Sequence, residues 1–503
     1  MANKSKQSKK AKKAKPESTK PGAKPVVQSA KRSVVALART ADAARAARGG
    51  ATGSVDRSAR RDWGRALRDE VPLAVHGDWA PASDRPDPVA VLVAQGESRV
   101  QDLLPIRYGR MSASPFGFYR GAAAGMAADL AGTPDTGITV QVCGDGHLVN
   151  FGGFGTPERR LIFDVNDFDE TLPGPWEWDV KRLGASFAVA ARSKGLDKSA
   201  ATNAVARVAL SYAATMTRLA SAQTLDAWYW SVDTDVVTTL LDASGDAATK
   251  SRVDKVIARA HTRDNLQAVG KLTEVVDGRR RIVDQLPLIG HVPGDDEMDR
   301  ITELFAGYQA SLPDDHRHLL DRYELVDAAR KVVGVGSVGT RCWIALLDGG
   351  GADDPLILQV KEAEASVLEQ HLQPSEYQEH GRRVVEGQRL MQAASDMFLG
   401  WSRDADGRDY YWRQLRDMKA SADIDAQTLD AFLGYAQLCG VTLARAHARS
   451  GDAAAISGYL GKGNEFGKAL ARFAETYADQ NERDHAALQQ AITAGRVPVE
   501  AGI

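Results

Sequence analysis

The chain has 503 residues, enough for two or three domains at about 150 residues each. Hydrophobic residues make up 43% and charged residues 26%, which is ordinary for a globular protein and excludes collagen-like and wholly disordered chains. The formal net charge of −2 excludes a protein that coats nucleic acid with its whole surface.

The basic charge is concentrated at the N-terminus. Residues 1–40 contain ten lysines and two arginines against one glutamate, which gives +11 there and about −13 over the remaining chain. Residues 1–62 are rich in Lys, Ala, Ser and Pro and lack aromatic side chains, so we expect a disordered basic tail. Such a tail either docks nucleic acid or an acidic partner through residues 1–40, or only solubilises the chain. The lack of aromatic residues argues against sequence-specific recognition by the tail.

Membrane and secretory signals are not found in the sequence. There is no run of about 18 apolar residues, so we expect no membrane span. No apolar signal segment with a cleavage site follows the basic N-terminus. The three cysteines form no CxxC pair and lie far apart. These features predict a cytoplasmic protein with reduced thiols.

The first half of the chain is predicted to form a mainly helical lobe over residues 63–330. Its amphipathic spacing, β-branched runs and turn residues predict the following elements in chain order. They are an extended arm with a short helix at 89–104, a helix at 118–130, strands at 137–143 and 160–165 joined by a polar loop, helices within 179–220 and 296–331, and a small hairpin near 273–288.

The pattern changes at Lys331, where a small sheet lobe is predicted over residues 331–420. The strand-like runs "KVVGVGSVGTRCWIALL" and "PLILQV" are followed by a helix at Ser375 to Ala394 and by the hairpin "MFLGWSR" and "RDYYWRQL". Residues 421–503 return to amphipathic helix and are expected to pack on the helical lobe. The predicted fold class is therefore α+β.

Acidic and amide side chains crowd the ends of the strands predicted at 137–143 and 160–165. Carboxylates held close together repel one another unless a cation joins them, and hard cations such as Mg²⁺ take oxygen ligands. A divalent metal site is one interpretation, and a solvated loop of turn and capping residues is the other. The residues are Asp145, His147, Asn150, Asp164, Asn166, Asp167, Asp169 and Glu170.

Three features of the later sequence suit phosphate binding. Glycines in "GVGSVGT" let a backbone approach phosphate oxygens closely, and the residues concerned are Gly334, Gly336, Ser337, Gly339 and Thr340. Lys361 follows an apolar strand-like run, and Glu386 lies in a predicted helix. Taken singly, these features are equally typical of a ligand-free hairpin, an edge-strand lysine and an exposed glutamate.

In combination these features resemble the parts of protein kinases and aminoglycoside phosphotransferases. The segment "GDGHLVN" is similar to their catalytic loop, and "NDFDE" is similar to their metal-binding Asp-Phe-Gly element, with Asp169 in place of the glycine. The resemblance implies catalytic roles for Asp145, Lys361 and Glu386, with Glu386 positioning Lys361. It further implies a nucleotide held by the glycine segment and Lys361, metal ligands at Asn150, Asp167 and Asp169, and a structural role for Asp179.

The catalytic-loop half precedes the glycine half, so the resemblance implies a circularly permuted, kinase-like two-lobe fold. The helical lobe comes first and the small antiparallel-sheet lobe later. Permutation is tolerated where breakpoints lie in surface loops, because the core contacts are unchanged.

A more specific resemblance extends over roughly residues 70–495. The segments "PIRYGRMSASPFGFYRGAA", "NDFDETLPGPWEWDVKRL" and "YADQNERDHAAL" are similar to the bacterial family catalogued as domain of unknown function 2252. That resemblance implies membership but no activity.

The resulting functional hypothesis is an ATP- and Mg²⁺-dependent phosphotransferase-like enzyme of unknown acceptor, with transfer of AMP as a variant. Candidate substrate contacts are Arg107, Arg110, Arg120 and His147, since arginines bind carboxylate or phosphate through paired hydrogen bonds. The arginines are equally suited to bracing the fold. The alternatives are a non-catalytic nucleotide-binding or scaffold protein, and a tail-driven nucleic-acid binder with a passive globular domain.

Overall fold

A computed structural model describes residues 56–244, 247–262, 265–291, 297–351, 354–415 and 418–502. The described residues all belong to one compact unit. Residues 1–55 of the expected basic tail lie outside the described residues. The first helix begins at Arg57, so the end of the segment predicted as a disordered tail is helical. Residues 416 and 417, within the sheet lobe predicted over residues 331–420, also lie outside the described ranges.

Helices dominate the described residues before the sheet. Some begin at capping residues, such as Asp56 at the N-cap of α1 and Asp197 at the N-cap of α7, whose carboxylates accept backbone N–H groups. The helices are α1 (Arg57–Glu70), α2 (Pro88–Gly96), α3 (Leu104–Ser112), α4 (Pro115–Gly121), α5 (Ala123–Ala131), α6 (Trp176–Ser193), α7 (Lys198–Ser221), α8 (Thr224–Tyr229), α9 (Thr234–Ser244), α10 (Ala247–Thr262), α11 (Asn265–Leu272), α12 (Glu297–Ser311) and α13 (Asp314–Leu320).

The later helices follow or interrupt the large sheet. They are α14 (His380–Met391), α15 (Leu429–Ala448), α16 (Ala453–Leu460) and α17 (Asn464–Thr493). Helices α6, α7, α15 and α17 share a core with the small strands, in which Trp176, Phe187, Tyr212 and Phe466 are fully buried. The C-terminal helices α15 and α17 therefore pack against α6 and α7 of the first half. None of the described helices is long and apolar enough to cross a lipid bilayer.

Small antiparallel sheets carry the acidic segment. Strands β1 (Thr139–Val142) and β4 (Leu172–Pro175) pair with each other. Strands β2 (Phe151–Gly155) and β3 (Leu161–Val165) pair with each other, and β13 (Ala420–Ser421) adds to β2. A separate hairpin joins β5 (Thr273–Val276) to β6 (Arg279–Ile282), within the range predicted for a hairpin.

The large sheet has six antiparallel strands in the order β11-β12-β10-β9-β8-β7. Its strands are β7 (Ile289–Gly290), β8 (Glu324–Lys331), β9 (Cys342–Asp348), β10 (Pro355–Ala363), β11 (Gly400–Arg403) and β12 (Asp409–Gln414). The glycine segment connects β8 to β9, and Lys361 lies on β10 opposite Cys342 and Tyr411. Helix α12 packs on one face of the sheet, where Tyr308 stacks on Trp412. The fold is therefore α+β.

Some predicted elements are wrong in position or type. The helix predicted across 296–331 gives way to strand β8, because pairing with β9 buries Ala328 and Ala329 and overrides the local helical preference of this segment. The sheet thus begins before residue 331. The helix predicted at 118–130 is divided at Ala122 into α4 and α5, and that predicted at 89–104 ends at Gly96.

The polar loop predicted between β1 and β3 contains strand β2, "FGGFG". Glycine is depleted in strands, so the sequence signal is weak. The structure requires small residues there because a Cβ on Gly152 would lie 2.8 Å from the carbonyl oxygen of Ala420 on β13.

Candidate functional site

A cavity of about 620 Å³ lies between the large sheet and the β2–β3 hairpin. The glycine segment contributes Gly334 and Ser337 to its wall, and β10 contributes Gln359 and Lys361. The lining contains more cationic than anionic side chains, which favours a polyanionic ligand. The cations are Arg159, Lys331, Lys361, Arg413 and Lys419, and the carboxylates are Asp167 and Asp396.

Lys361 is buried, at 2% exposure, among acidic and phenolic side chains. Its ammonium donates a short hydrogen bond to Asp169 Oδ2 and lies 3.7 Å from Asp167 Oδ1. Tyr411 donates to Asp169 Oδ1 at 2.9 Å, and Ser337 donates to Oδ2 at 3.2 Å. Burial opposes ionisation of Asp169, but the Lys361 ammonium and these hydrogen bonds outweigh it and hold the pKa of Asp169 below its ordinary value.

Asp167 differs from Asp169 in its bonding. Its Oδ1 is buried and has no hydrogen-bond partner, while 41% of the side-chain surface stays exposed beside the cavity that it lines. The Asn150 amide nitrogen donates to the carbonyl oxygens of Asp145 and Asp167, at 3.0 and 3.1 Å. This amide therefore fixes the "GDGHLVN" segment to the "NDFDE" segment through its nitrogen.

Asp145 is held from one side by a buried arginine. Arg182 on α6 donates a hydrogen bond from Nε to Asp145 Oδ1 and forms an ion pair with the same oxygen through Nη2. His147 Nε2 lies 3.9 Å from the other oxygen. Burial lowers the pKa of His147 to about 4, so the imidazole is neutral at pH 7 and cannot act as a cation there.

Asp179 braces the backbone on which Asp145 stands. Its carboxylate accepts N–H groups from Cys143 at 2.7 Å and Gly144 at 3.0 Å, and lies 3.1 Å from His447 Nε2. Gly144 has a φ of +80°, and a Cβ there would lie 2.4 Å from the carbonyl oxygen of Glu170. Glycine is thus required for the turn, and the expected structural role of Asp179 agrees with these contacts.

The glycine segment forms hydrogen bonds with side chains from three other segments of the chain. Ser337 faces Asp169, while Arg99 donates to Val338 O at 2.6 Å and Arg110 donates to Gly334 O at 2.5 Å. The segment contains left-handed glycines, with φ of +63° at Gly334 and +92° at Gly339, and Gly336 lies between them. Thr340 closes the turn by donating to Ser337 O.

The expected ion pair between Lys361 and Glu386 is not formed between these two described residues. Glu386 instead lies 3.3 Å from Arg389 on its own helix. The helix reaches the site through Arg383, which donates to the carbonyl oxygens of Asp169, Thr171 and Glu364. A Cβ on Gly387 would lie 2.4 Å from Thr171, so close packing of α14 on this loop sets which side chains face the site.

The three candidate substrate arginines come from α3 and α4. Arg107 is buried, and its Nε and Nη1 have no hydrogen-bond partner. The Nε of Arg120 is likewise buried without a partner, and this guanidinium interacts electrostatically with Asp145 and Asp167. Arg110 bonds the glycine segment, as described above. None of the three lines the 620 Å³ cavity.

The residues present fit a single divalent cation with mixed ligands. Among the described residues there is no cluster of three His, Cys, Asp or Glu side chains suited to a metal ion. The available donors are instead one carboxylate with an orphaned oxygen, Asp167, and the Asn150 amide oxygen. Such a sparse oxygen donor set suits Mg²⁺, which keeps several waters and binds substrate phosphates.

The comparisons with known proteins identify the family. The family model described as "Uncharacterized protein conserved in bacteria (DUF2252)" matches residues 99–491. The chain belongs to this bacterial family. Searches of curated proteins and of solved structures found no match. The DUF2252 match covers the cavity, the glycine segment and the acidic loops together.

Several residues of the candidate site escaped the sequence-based prediction. Arg182 follows Asp179 by three residues, and helical spacing places both on one face of α6, so this arginine was detectable. Tyr411 and Arg413 alternate along β12, which was predicted as a strand, but nothing local indicates that its inner face meets Asp169. No pattern in the sequence distinguishes Arg383 from the other arginines of its helix.

Proposed function

We propose that this protein is an ATP- and Mg²⁺-dependent phosphotransferase-like enzyme with a circularly permuted, kinase-like arrangement. The observation that carries the proposal is the convergence of Lys361, Asp167 and the glycine segment on one cavity. These residues come from β10, from the loop after β3 and from the β8–β9 connection. A buried cation and an orphaned carboxylate oxygen at a cavity rich in positive charge suit a metal–triphosphate ligand.

Each residue has a defined task in this proposal. Asp167 and the Asn150 oxygen hold Mg²⁺, which neutralises charge on the phosphates. Lys361 and Arg413 contact phosphate oxygens, and the glycine segment covers them. The Asp169 carboxylate holds the Lys361 ammonium in position.

The proposed phosphoryl transfer forms one bond to phosphorus and breaks another. The acceptor hydroxyl oxygen forms a bond to the γ-phosphorus, the bond from that phosphorus to the β–γ bridging oxygen breaks, and ADP leaves. Asp145, held by Arg182, takes the hydroxyl proton. In the AMP-transfer variant the hydroxyl attacks the α-phosphorus and pyrophosphate leaves. Catalysis rests mainly on positioning and charge stabilisation in both cases.

The test is a thermal-shift titration of the full-length protein with Mg-ATP, with ATP plus chelator, and with Mg²⁺ alone. Ligand at 100 times its Kd stabilises the folded state by about 2.7 kcal/mol. Asp167→Asn is expected to remove the magnesium-dependent part of the shift, since the orphaned oxygen loses its charge. Asp315→Asn is the matched control, because that carboxylate is 80% exposed and away from the cavity.

Transfer is then followed with ATP labelled at the γ- or the α-phosphate, against candidate acceptors and the protein itself. Incorporation of γ-label supports phosphoryl transfer, and α-label supports AMP transfer. A magnesium-dependent shift without hydrolysis or labelling favours the non-catalytic nucleotide-binding alternative. If wild type shows no shift with ATP under any of these conditions, nucleotide binding is rejected.

A further inference from the structure

A buried amide at the wall of the 620 Å³ cavity has an acceptor without a donor. Gln388 on α14 is 5% exposed and lines the cavity. Its Oε1 is buried and has no hydrogen-bond partner among the described residues. Gln359, which lines the same cavity, has both ends of its amide paired: Oε1 accepts from Arg413, and Nε2 donates to Cys342 Sγ. A buried polar atom left unpaired in a native fold needs an explanation, and a bound group that supplies the missing donor is one.

A chain of hydrogen bonds fixes which end of the Gln388 amide is unpaired. Gln388 Nε2 donates to Gln392 Oε1 at 3.0 Å, and Gln392 Nε2 donates to the carbonyl oxygen of Val165 at 2.7 Å. The carbonyl of Val165 can only accept, so Gln392 must turn its NH₂ group towards it and its oxygen towards Gln388. Gln388 must then give its own NH₂ group to Gln392. Turning either amide over would place two acceptor oxygens face to face.

Val165 connects these two glutamines to the acidic segment. It stands two positions before Asp167, whose Oδ1 is likewise buried and unpaired at the cavity. The next carbonyl oxygen, that of Asn166, accepts from Arg413 Nη1 at 3.0 Å. Gln392 and the arginine proposed to bind phosphate therefore bond to neighbouring peptide groups at the end of β3. The unpaired Gln388 oxygen thus belongs to the same site as the proposed metal and phosphate contacts.

The unpaired oxygen determines the kind of ligand group that fits it. An amide oxygen accepts hydrogen bonds and repels the oxygens of an ionised phosphate, which are acceptors too. The phosphates are therefore expected at Lys361 and Arg413, and Gln388 is left to the rest of the ligand. In a nucleotide that remainder carries two kinds of donor, the amino group of the base and the hydroxyls of the ribose.

We propose that Gln388 accepts a hydrogen bond from the nucleoside part of the nucleotide, from the adenine amino group or a ribose hydroxyl, and that Gln392 is a positioning residue that holds the Gln388 amide in the required orientation. This inference rests on the proposed function and adds a specificity determinant to it. A site with a buried acceptor rejects a ligand that lacks the donor, because the acceptor then stays unpaired. An analogue without the donor is expected to bind about tenfold more weakly than ATP.

The experiment measures the Kd of the full-length protein for a set of nucleotides by isothermal titration calorimetry in the presence of Mg²⁺. The set contains ATP, purine riboside triphosphate, which lacks the 6-amino group, 2′-deoxy-ATP and 3′-deoxy-ATP. A weakened purine riboside triphosphate identifies the amino group as the donor, and a weakened deoxy analogue identifies the missing hydroxyl. Equal Kd values for the whole set overturn the proposal.

Variants show whether the discrimination comes from Gln388. Gln388→Leu removes the acceptor, so the ratio of the analogue Kd to the ATP Kd should fall to about one. Gln392→Leu keeps the acceptor but lets the Gln388 amide turn over, so the ratio should fall several-fold although Gln388 is unchanged. Gln359→Leu is the matched control, because this buried glutamine lines the same cavity with its amide paired. It should change the Kd of ATP and of the analogues by the same factor.

The remaining outcomes separate the failures. A wild-type ratio that persists in Gln388→Leu refutes the role of Gln388, and one that persists in Gln392→Leu refutes the positioning role. If Gln388→Leu instead removes the Mg²⁺ dependence of ATP binding, Gln388 ligates the metal and the proposal is overturned. If Gln388→Leu fails to fold, the wild-type and Gln392→Leu ratios decide. Binding without discrimination refutes this inference alone, whereas no binding of any nucleotide refutes the proposed function and the inference with it.

Discussion

The bracing of the "GDGHLVN" segment by Asp179 can be tested through Asp179→Asn. The carboxylate accepts two backbone N–H groups and a contact from His447, all in a fully buried position. An asparagine has one acceptor oxygen, so its NH₂ group faces either the Gly144 N–H or the Cys143 N–H. One charge-assisted hydrogen bond is lost and a buried donor is left unsatisfied, which together cost about 2–4 kcal/mol.

The assay is urea denaturation at pH 7, with the midpoint and slope recorded for wild type and variant. Asp56→Asn is the matched control, because Asp56 also accepts two backbone N–H groups, at 2.9 and 3.2 Å, but at an exposed helix N-cap. Asparagine caps a helix as well as aspartate does, so the control should change stability by less than about 0.5 kcal/mol. If Asp179→Asn costs as little as the control, the bracing argument is refuted.

Three further predictions concern the charged groups of the site. Lys361→Met leaves the Asp167 and Asp169 carboxylates without the ammonium and should lower the free energy of unfolding by about 3–5 kcal/mol at pH 7 in the same assay. The decrease should be smaller at pH 5, where the carboxylates begin to protonate. An equal decrease at both pH values would contradict this prediction. Glu386→Gln should leave the Mg-ATP thermal shift unchanged, and a lost shift would mean that Glu386 does engage Lys361 when nucleotide binds. Burial raises the pKa of Glu170 to about 7, so the folded state binds a proton that the unfolded state has already lost between about pH 4.5 and 7. The contribution of Glu170 to the free energy of unfolding therefore falls as the pH rises through that window. Glu170→Gln should flatten a pH series of unfolding free energies across it, and an unaltered profile would refute the assignment.

Several parts of the site were predictable because their signals are local. The spacing of Asp145 and Asn150 is fixed within one loop, and the structure brings both to the Asp167 segment through the Asn150 amide. The apolar, strand-like runs after the glycine segment were sufficient to place Lys361 at the second strand after that segment, where β10 lies between β9 and β12. The nucleotide and magnesium assignments remain predictions.

Other parts depended on segments distant in the chain. The sequence shows that α14 carries a glutamate and arginines, but not which of them faces the strands. Packing of Gly381 against Tyr410, and of Gly387 against Thr171, sets the rotation of the helix. That rotation brings Arg383 to the loop and leaves Glu386 beside Arg389.

By itself, the sequence determined the alternation of apolar residues, the turn glycines and the short-range spacing of chemical groups, because these depend on neighbours within a few residues. Only the tertiary structure decided the charge partners. Asp169 meets Lys361 across 192 positions and Asp179 meets His447 across 268, while Arg107 is buried with no carboxylate partner among the described residues. The energy of a buried charge depends on which groups the fold brings within a few ångströms of it, and the separation of residues along the chain does not determine which groups those are.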